Sequence, residues 1–98
     1  MSVKQQALDI KQAIEENRRG RFRISKILLL SYPDKLVRTV FSEVLVTGIE
    51  YGFGWDVIVY EGYSMNFEVC PQEVVSPEYI IELNTKEDGI EVIKWSRI

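Results

Sequence analysis

Hydrophobic and polar residues alternate along residues 45–69. The odd positions are apolar or aromatic except for Thr47 and Glu61, and the even positions carry most of the glycine and polar residues. Because successive side chains of a strand point to opposite faces, this pattern predicts β-structure with one buried face and one wet face. The side chains expected to be buried include those of Trp55, Val57, Met65 and Phe67.

Two glycines divide this stretch into a predicted antiparallel meander. Gly54 and Gly62 each end a three-residue loop, and glycine takes the left-handed conformation that such a hairpin loop needs. In the resulting register the side chain of Glu50 faces that of Asp56 across two neighbouring strands. The three strands are expected at 45–51, 55–60 and 63–70.

The N-terminal part of the chain shows a helical period instead. Apolar residues recur every three or four positions, which predicts a helix over residues 3–19. Ser2 and Gln5 have the spacing of a capping box at its start, and Gly20 follows as its C-terminal cap. Phe22–Leu30 then predicts a strand that is apolar on both sides at its far end, and therefore central in the sheet.

Residues 34–44 fit two interpretations. Pairs of apolar residues recur every four positions and Pro33 suits a helix start, so a short helix is favoured. The many β-branched residues favour instead a strand, joined to the preceding one by a hairpin at 32–35. Farther along, the alternating segments 79–83 and 90–95 predict a closing hairpin.

These elements predict an α+β fold. The N-terminal helix, with the short helix at 34–44 where it forms, packs on a mainly antiparallel sheet of about six strands with the 45–70 meander at its centre. The chain has 98 residues, of which 46% are hydrophobic and 28% are charged. This length and composition suit one globular domain over residues 1–98 rather than a disordered chain.

Composition also restricts the environment and the chemistry that we expect. The longest aliphatic run, Ile27–Leu30, is far below the roughly 20 residues that span a bilayer, so we expect no membrane contact. The N-terminus does not resemble a secretory signal and a single cysteine suits a reducing compartment, which favours a cytoplasmic protein. Histidine is absent, which removes the commonest metal ligand and general base. We expect neither a metal nor another cofactor.

The formal net charge of −3 conceals a division between the two parts of the chain. Residues 1–40 contain nine Lys and Arg against four Asp and Glu, whereas residues 41–98 contain three against eleven. A division of this kind concerns partners more than fold. It is compatible with association between copies through the basic N-terminal and acidic C-terminal parts.

Three acidic residues share the predicted wet face of the meander. Glu50, Asp56 and Glu68 fall on even positions, and Tyr60 and Ile58 lie on the same side as apolar anchors. Such a surface suits a basic protein partner, as in an inhibitor or immunity protein, and this non-enzymatic binding module is the preferred interpretation. The simplest alternative is a solvated face without a partner. A carboxylate-dependent hydrolase is a further interpretation of the same residues.

A cluster of arginines supports an alternative from another functional class. Arg18, Arg19, Arg21 and Arg23 could contact phosphates, with Phe22 stacking on a base, as in a nucleic-acid-binding protein. Two features weigh against it. The first two arginines suit the C-terminal end of the predicted helix, and the chain as a whole is acidic.

Overall fold

The computed structural model describes residues 3–52, 54–87 and 89–98. Ser2, with its predicted capping box, and residue 53 of the first predicted loop lie outside them. Three helices and five strands form over the described residues. In chain order they are α1 Val3–Glu15, β1 Arg19–Ser25, α2 Lys26–Ser31, α3 Pro33–Arg38, β2 Leu45–Glu50, β3 Val57–Tyr63, β4 Tyr79–Lys86 and β5 Gly89–Arg97.

The strands form two antiparallel sheets. The larger sheet has the order β1-β3-β2, and β4 and β5 form a separate hairpin. A parallel bridge between Arg21 and Glu78 joins β1 to the start of β4, where the Arg21 amide donates to the carbonyl of Pro77 at 2.9 Å. The α+β class and the closing hairpin are confirmed. The prediction of a single six-stranded sheet with a central meander is wrong.

The third predicted strand of the meander, 63–70, does not form because β1 takes the edge of β3 that this strand would need. Phe22 lies opposite Tyr60 and Ile24 lies opposite Ile58 in the β1–β3 ladder. After β3 the chain turns at once, and the amide of Phe67 donates to the carbonyl of Ser64 at 3.1 Å. The proposed loop at 60–62 is therefore part of a continuous strand.

The buried face of the larger sheet carries even-numbered residues of β1 and β3, which for β3 is opposite to the prediction. We call this the core face; it includes Phe22, Ile24, Ile58 and Tyr60. The opposite, outer face carries Arg21 and Arg23 with their partners Glu61 and Val59. Of the odd-numbered residues expected inside, Phe67 is fully buried, whereas Trp55 is exposed and Val57 and Met65 are half-buried. Strand β3 is apolar on both faces, so alternation within it could not decide which face is buried.

Helix α1 ends four residues before its predicted end. Asn17 has a left-handed backbone with φ of 55°, and the next amide, that of Arg18, donates back to the carbonyl of Ala13 at 2.8 Å. This is the hydrogen-bond pattern of a Schellman cap, with asparagine in the place that Gly20 was expected to fill. Gly20 instead lies within β1, where a Cβ would be 2.8 Å from the rings of Phe67 and Tyr79.

The predicted strand Phe22–Leu30 is half strand and half helix. It changes at Ser25, whose hydroxyl accepts a hydrogen bond from the amide of Ile27 and so caps α2. The helical interpretation of 34–44 is confirmed as far as Arg38, and turns follow it. Pro33 begins α3, as expected for a residue without an amide proton to donate. The hairpin at 32–35 is therefore wrong.

Aromatic residues from both sheets form the centre of the core. The ring of Phe22 contacts the ring of Tyr60 with centroids 5.5 Å apart, and Phe41 packs edge-on against Tyr60 at 4.9 Å. Trp95 of β5 packs edge-on against both Phe22 and Phe67, at 5.1 and 5.3 Å. The hairpin is thus attached to the larger sheet chiefly through side chains.

Candidate functional site

The three acidic residues singled out from the sequence have different surroundings. Glu50, at the end of β2, forms an ion pair with Arg21 at 3.1 Å on the outer face. Glu68 lies in the segment after β3 and pairs with Arg97, and this hydrogen bond raises the pKa of the Arg97 guanidinium. Asp56 is exposed immediately before β3.

The predicted opposition of Glu50 and Asp56 is wrong because the register differs. The connection 51–56 between β2 and β3 is longer than the expected three-residue loop. A bulge also shifts β2 by one residue, so that Glu50 lies opposite Val59. The sheet does not bring these two carboxylates face to face.

Tyr60 and Ile58 are core residues rather than surface anchors. The side chain of Tyr60 is only 8% exposed, and burial raises the pKa of its phenol above the ordinary value. Ile58 is half-buried and packs against the same core. Both lie on the core face, where Tyr60 pairs with Phe22 and Ile58 pairs with Ile24 of β1.

Arg18 and Arg19 hold loops of their own chain. Arg18 donates to the carboxylate of Glu16 at 2.6 Å and to the carbonyl of Phe67 at 2.9 Å. Hydrogen bonds from Gln12 and Arg18 lower the pKa of Glu16. Arg19 donates one nitrogen to two carbonyls of the segment before β4, those of Pro71 at 2.7 Å and Val74 at 2.8 Å. Both guanidinium groups therefore bind backbone and side-chain groups of their own chain and stabilise its fold.

Arg21 and Arg23 project from the outer face of β1 toward carboxylates. The guanidinium group of Arg21 forms an ion pair with Glu50 at 3.1 Å. The guanidinium group of Arg23 lies 3.9 Å from the carboxylate of Glu78, in a looser pair. Phe22 between them is buried in the aromatic core and offers no ring for stacking on a base. The arrangement of the arginine cluster therefore gives no support to the nucleic-acid alternative.

An exposed apolar surface lies elsewhere, where α2 meets the end of β2. Helix α2 has the sequence KILLLS, and six residues with four successive aliphatic side chains cannot turn all of them inward. Leu28 and Leu29 pack against the core, whereas Ile27 is 74% exposed and Leu30 is 81% exposed. These two lie three positions apart and so on one side of the helix.

The end of β2 supplies the second half of this surface. Ile49 is 64% exposed and Tyr51 is 53% exposed. Leu29, Leu30, Tyr51 and Ile58, with Lys26 at the rim, line a depression of about 160 Å³ between the two elements. We call Ile27, Leu30, Ile49 and Tyr51 the α2/β2 patch.

Lys26 fixes the connection 51–56 against α2. Its ammonium group donates to the Tyr51 hydroxyl at 2.8 Å and lies 5.0 Å from the centre of the ring. Its backbone amide donates to the carbonyl of Asp56 at 2.9 Å. Both ends of the connection are therefore attached to the first residue of the helix, which holds the Tyr51 ring beside Leu30.

The sequence did contain an indication of the α2/β2 patch, although the spacing of its hydrophobic residues did not reveal it. Ile27–Leu30 was interpreted as the buried end of a strand, because a continuous apolar run is typical of a central strand. Ser25, a good helix N-cap two residues before Ile27, was the local indication that the run begins a helix. A six-residue helix on the surface necessarily exposes part of such a run.

Within the described ranges, no helix is long and apolar enough to cross a membrane, and no group of three or more acidic or cysteine side chains is placed to hold a metal ion. Comparison with models of protein families finds no match for this chain. Comparisons with curated proteins and with solved structures also find none.

Proposed function

We propose that this chain is a small, non-enzymatic protein-binding module that contacts its partner through the α2/β2 patch. The observation that carries the proposal is the exposure of Ile27, Leu30, Ile49 and Tyr51, each more than half accessible to solvent. Burying such side chains against a partner is favourable by roughly 25 cal/mol for each Å² removed from water. Contiguous apolar surface with a charged rim is typical of interaction sites.

The charges around the patch favour a basic partner. Glu50 directly precedes the connection that carries Tyr51, and Asp56 is its last residue; both side chains are exposed. Lys26 keeps its positive charge while it donates to the Tyr51 hydroxyl, and Glu50 is paired with Arg21. Asp56 is therefore the carboxylate at this rim that forms no ion pair with a described residue. A basic surface on the partner would be attracted by these carboxylates, and the attraction would weaken as salt is added. An inhibitor or immunity protein that occupies a basic site is the specific form of this proposal.

Site-specific photo-crosslinking tests the proposal. A photoreactive phenylalanine analogue replaces Leu30 in the chain expressed in its native cells, and the same analogue replaces Ile93 in a control. Ile93 is an exposed apolar residue of β5 outside the patch. We expect a discrete adduct with one protein from position 30, absent from position 93 and reduced when Asp56 is changed to Lys.

Two outcomes would count against the proposal. Adducts of equal yield from positions 30 and 93 would show that the patch has no preference for a partner. No adduct from either position, with the analogue shown to be incorporated and the fold intact by circular dichroism, would remove the patch as a docking surface.

A further inference from the structure

Strand β2 forms an open edge of the larger sheet next to the α2/β2 patch. Among the strands of the described residues, only β3 pairs with β2. The backbone amides and carbonyls on the other edge of β2 therefore point away from the sheet. Such edges are normally protected by lysine, by proline or by a covering element. Residues 45–50 contain neither lysine nor proline, and the apolar side chains of Leu45 and Ile49 are exposed.

The bulge in β2 protects this edge only in part. It lies between Val46 and Gly48, and the strand returns to a regular ladder from Gly48 to Glu50. The one charged residue of β2, Glu50, is at the end of the strand and is paired with Arg21 on the outer face. The regular part of the edge therefore keeps its capacity to pair with another strand.

The carboxylate of Glu61, which forms no ion pair with a described residue, lies beside Gly48 of this strand. Glu61 lies opposite Gly48 in the ladder, and its Oε2 atom is 3.7 Å from the position that a Cβ of Gly48 would occupy. Arg21 lies opposite Glu61 in the β1–β3 ladder, but it forms an ion pair with Glu50 and not with Glu61. Glu61 thus has no ion pair with a described residue, and the missing side chain at Gly48 leaves space between Glu61 and the unpaired edge of β2.

We propose that β2 accepts an extended segment of the partner protein as a fourth strand of the larger sheet. A lysine or arginine of that segment, placed beside Gly48 on the outer face, pairs with Glu61. The neighbouring residue points to the core face and packs against Ile49. This inference rests on the proposed function and specifies the partner as a strand in which basic and apolar residues alternate.

A second copy of the chain fits this edge less well than a basic segment does. Strand β2 contains no basic residue, so β2–β2 pairing supplies no cation for Glu61. Such pairing would also bring Glu50 and Glu61 of both copies to the same sheet, where like charges across strands are destabilising.

Nuclear magnetic resonance of the ¹⁵N-labelled chain tests the inference with three synthetic peptides. One is acetylated Val-Lys-Val-Lys-Val amide, the second has Glu in place of Lys, and the third is the first with N-methyl groups on alternate residues. We expect the first peptide to shift the amide resonances of Leu45–Glu50 and to slow the hydrogen exchange of the outward-facing amides. The Glu and N-methylated peptides should have no such effect.

The Glu61→Gln variant tests the ion pair, with Glu82→Gln on the hairpin as the matched control. Both residues are outside the core, and neither takes part in an ion pair with a described residue. We expect Glu61→Gln to weaken binding of the lysine peptide by about two- to five-fold, as for an exposed ion pair, and Glu82→Gln to leave it unchanged.

The outcomes separate this inference from the proposed function. Crosslinking from position 30 together with no peptide-induced shifts in β2 would keep the patch as a docking site and overturn strand addition. Equal binding of the Lys and Glu peptides would overturn the role of Glu61. Concentration-dependent self-association that protects the β2 amides would identify a second copy as the occupant and overturn the basic segment.

Discussion

Phe22 and Tyr60 lie opposite each other on β1 and β3, with their ring centroids 5.5 Å apart. Phe22 also contacts Trp95 of the hairpin at 5.1 Å, so that one ring links the larger sheet to β5. Its side chain is almost completely buried. Phe22 is therefore one of the residues that hold the two sheets together.

Removing the Phe22 ring should strongly destabilise the fold. We expect Phe22→Ala to reduce the free energy of unfolding by about 3–5 kcal/mol, because it leaves a cavity at the junction of the sheets. Val69→Ala, at an odd position expected inside but found exposed, should change it by less than about 0.5 kcal/mol. Urea denaturation followed by tryptophan fluorescence measures both. Similar losses of unfolding free energy for the two variants would contradict the burial of Phe22 and the exposure of Val69.

Glycines at two neighbouring positions of the larger sheet should differ sharply in their tolerance of a methyl group. A Cβ at Gly62 would lie 2.2 Å from the backbone oxygen of Leu45, whereas a Cβ at Gly48 would be 3.7 Å from the nearest atom, in Glu61. We expect Gly62→Ala to destabilise the chain by about 1–3 kcal/mol, since the clash is with backbone and forces β2 to move. Gly48→Ala should be near neutral. Thermal unfolding compares them, and a tolerated Gly62→Ala would disprove the close approach of β2 and β3.

Tyr60 should make stability fall at alkaline pH. Burial raises the pKa of its phenol above the ordinary tyrosine value of 10.0, which we take for the unfolded chain. The unfolded state therefore loses this proton first, so the contribution is complete below pH 10 and is lost as the pH rises toward the folded pKa. Tyr60→Phe should lose less stability between pH 9 and 11 than the natural chain, as urea midpoints at each pH would show. An identical pH profile for the two proteins would contradict this.

Arg19 should be required for the order of the segment between Phe67 and β4. Its guanidinium nitrogen donates to the carbonyls of both Pro71 and Val74, a geometry that a single ammonium group reproduces poorly. We expect Arg19→Lys to cost about 1–2 kcal/mol and to expose this segment to proteolysis. Arg23→Lys, which affects only the loose pair with Glu78, serves as the control and should have little effect. Equal protease resistance of the two variants would contradict the role of Arg19.

The sequence predicted the types of most elements but not the face that the larger sheet buries. Helix α1 and the closing hairpin followed from strong periodicity within single segments. Which face of β3 belongs to the core depends on β1. The adjacent residues Val59 and Tyr60 are both apolar and both buried, so β3 alone does not distinguish its two faces. Only the pairing of Phe22 with Tyr60 assigns the phenol to the core face, and no pattern within residues 45–69 contains that information.

The candidate surface was predictable only in part for a related reason. Glu50 and Asp56 are exposed, as expected, but their separation depends on the length of the connection between β2 and β3 and on a bulge that alternation cannot reveal. The apolar half of the surface was hidden in Ile27–Leu30, where strand and helix were equally compatible with a short aliphatic run. Ser25 decided between them through one hydrogen bond from the amide of Ile27.

The contacts of Trp95 have a consequence for synthesis on the ribosome. Its indole covers the edges of Phe22 and Phe67, which precede it in the chain by more than 70 and more than 25 positions, respectively. A nascent chain that has emerged only as far as β4 must hold these two rings without their cover. We therefore expect the native state to form only after residue 95 has left the exit tunnel, because until then the rings of Phe22 and Phe67 lack this contact.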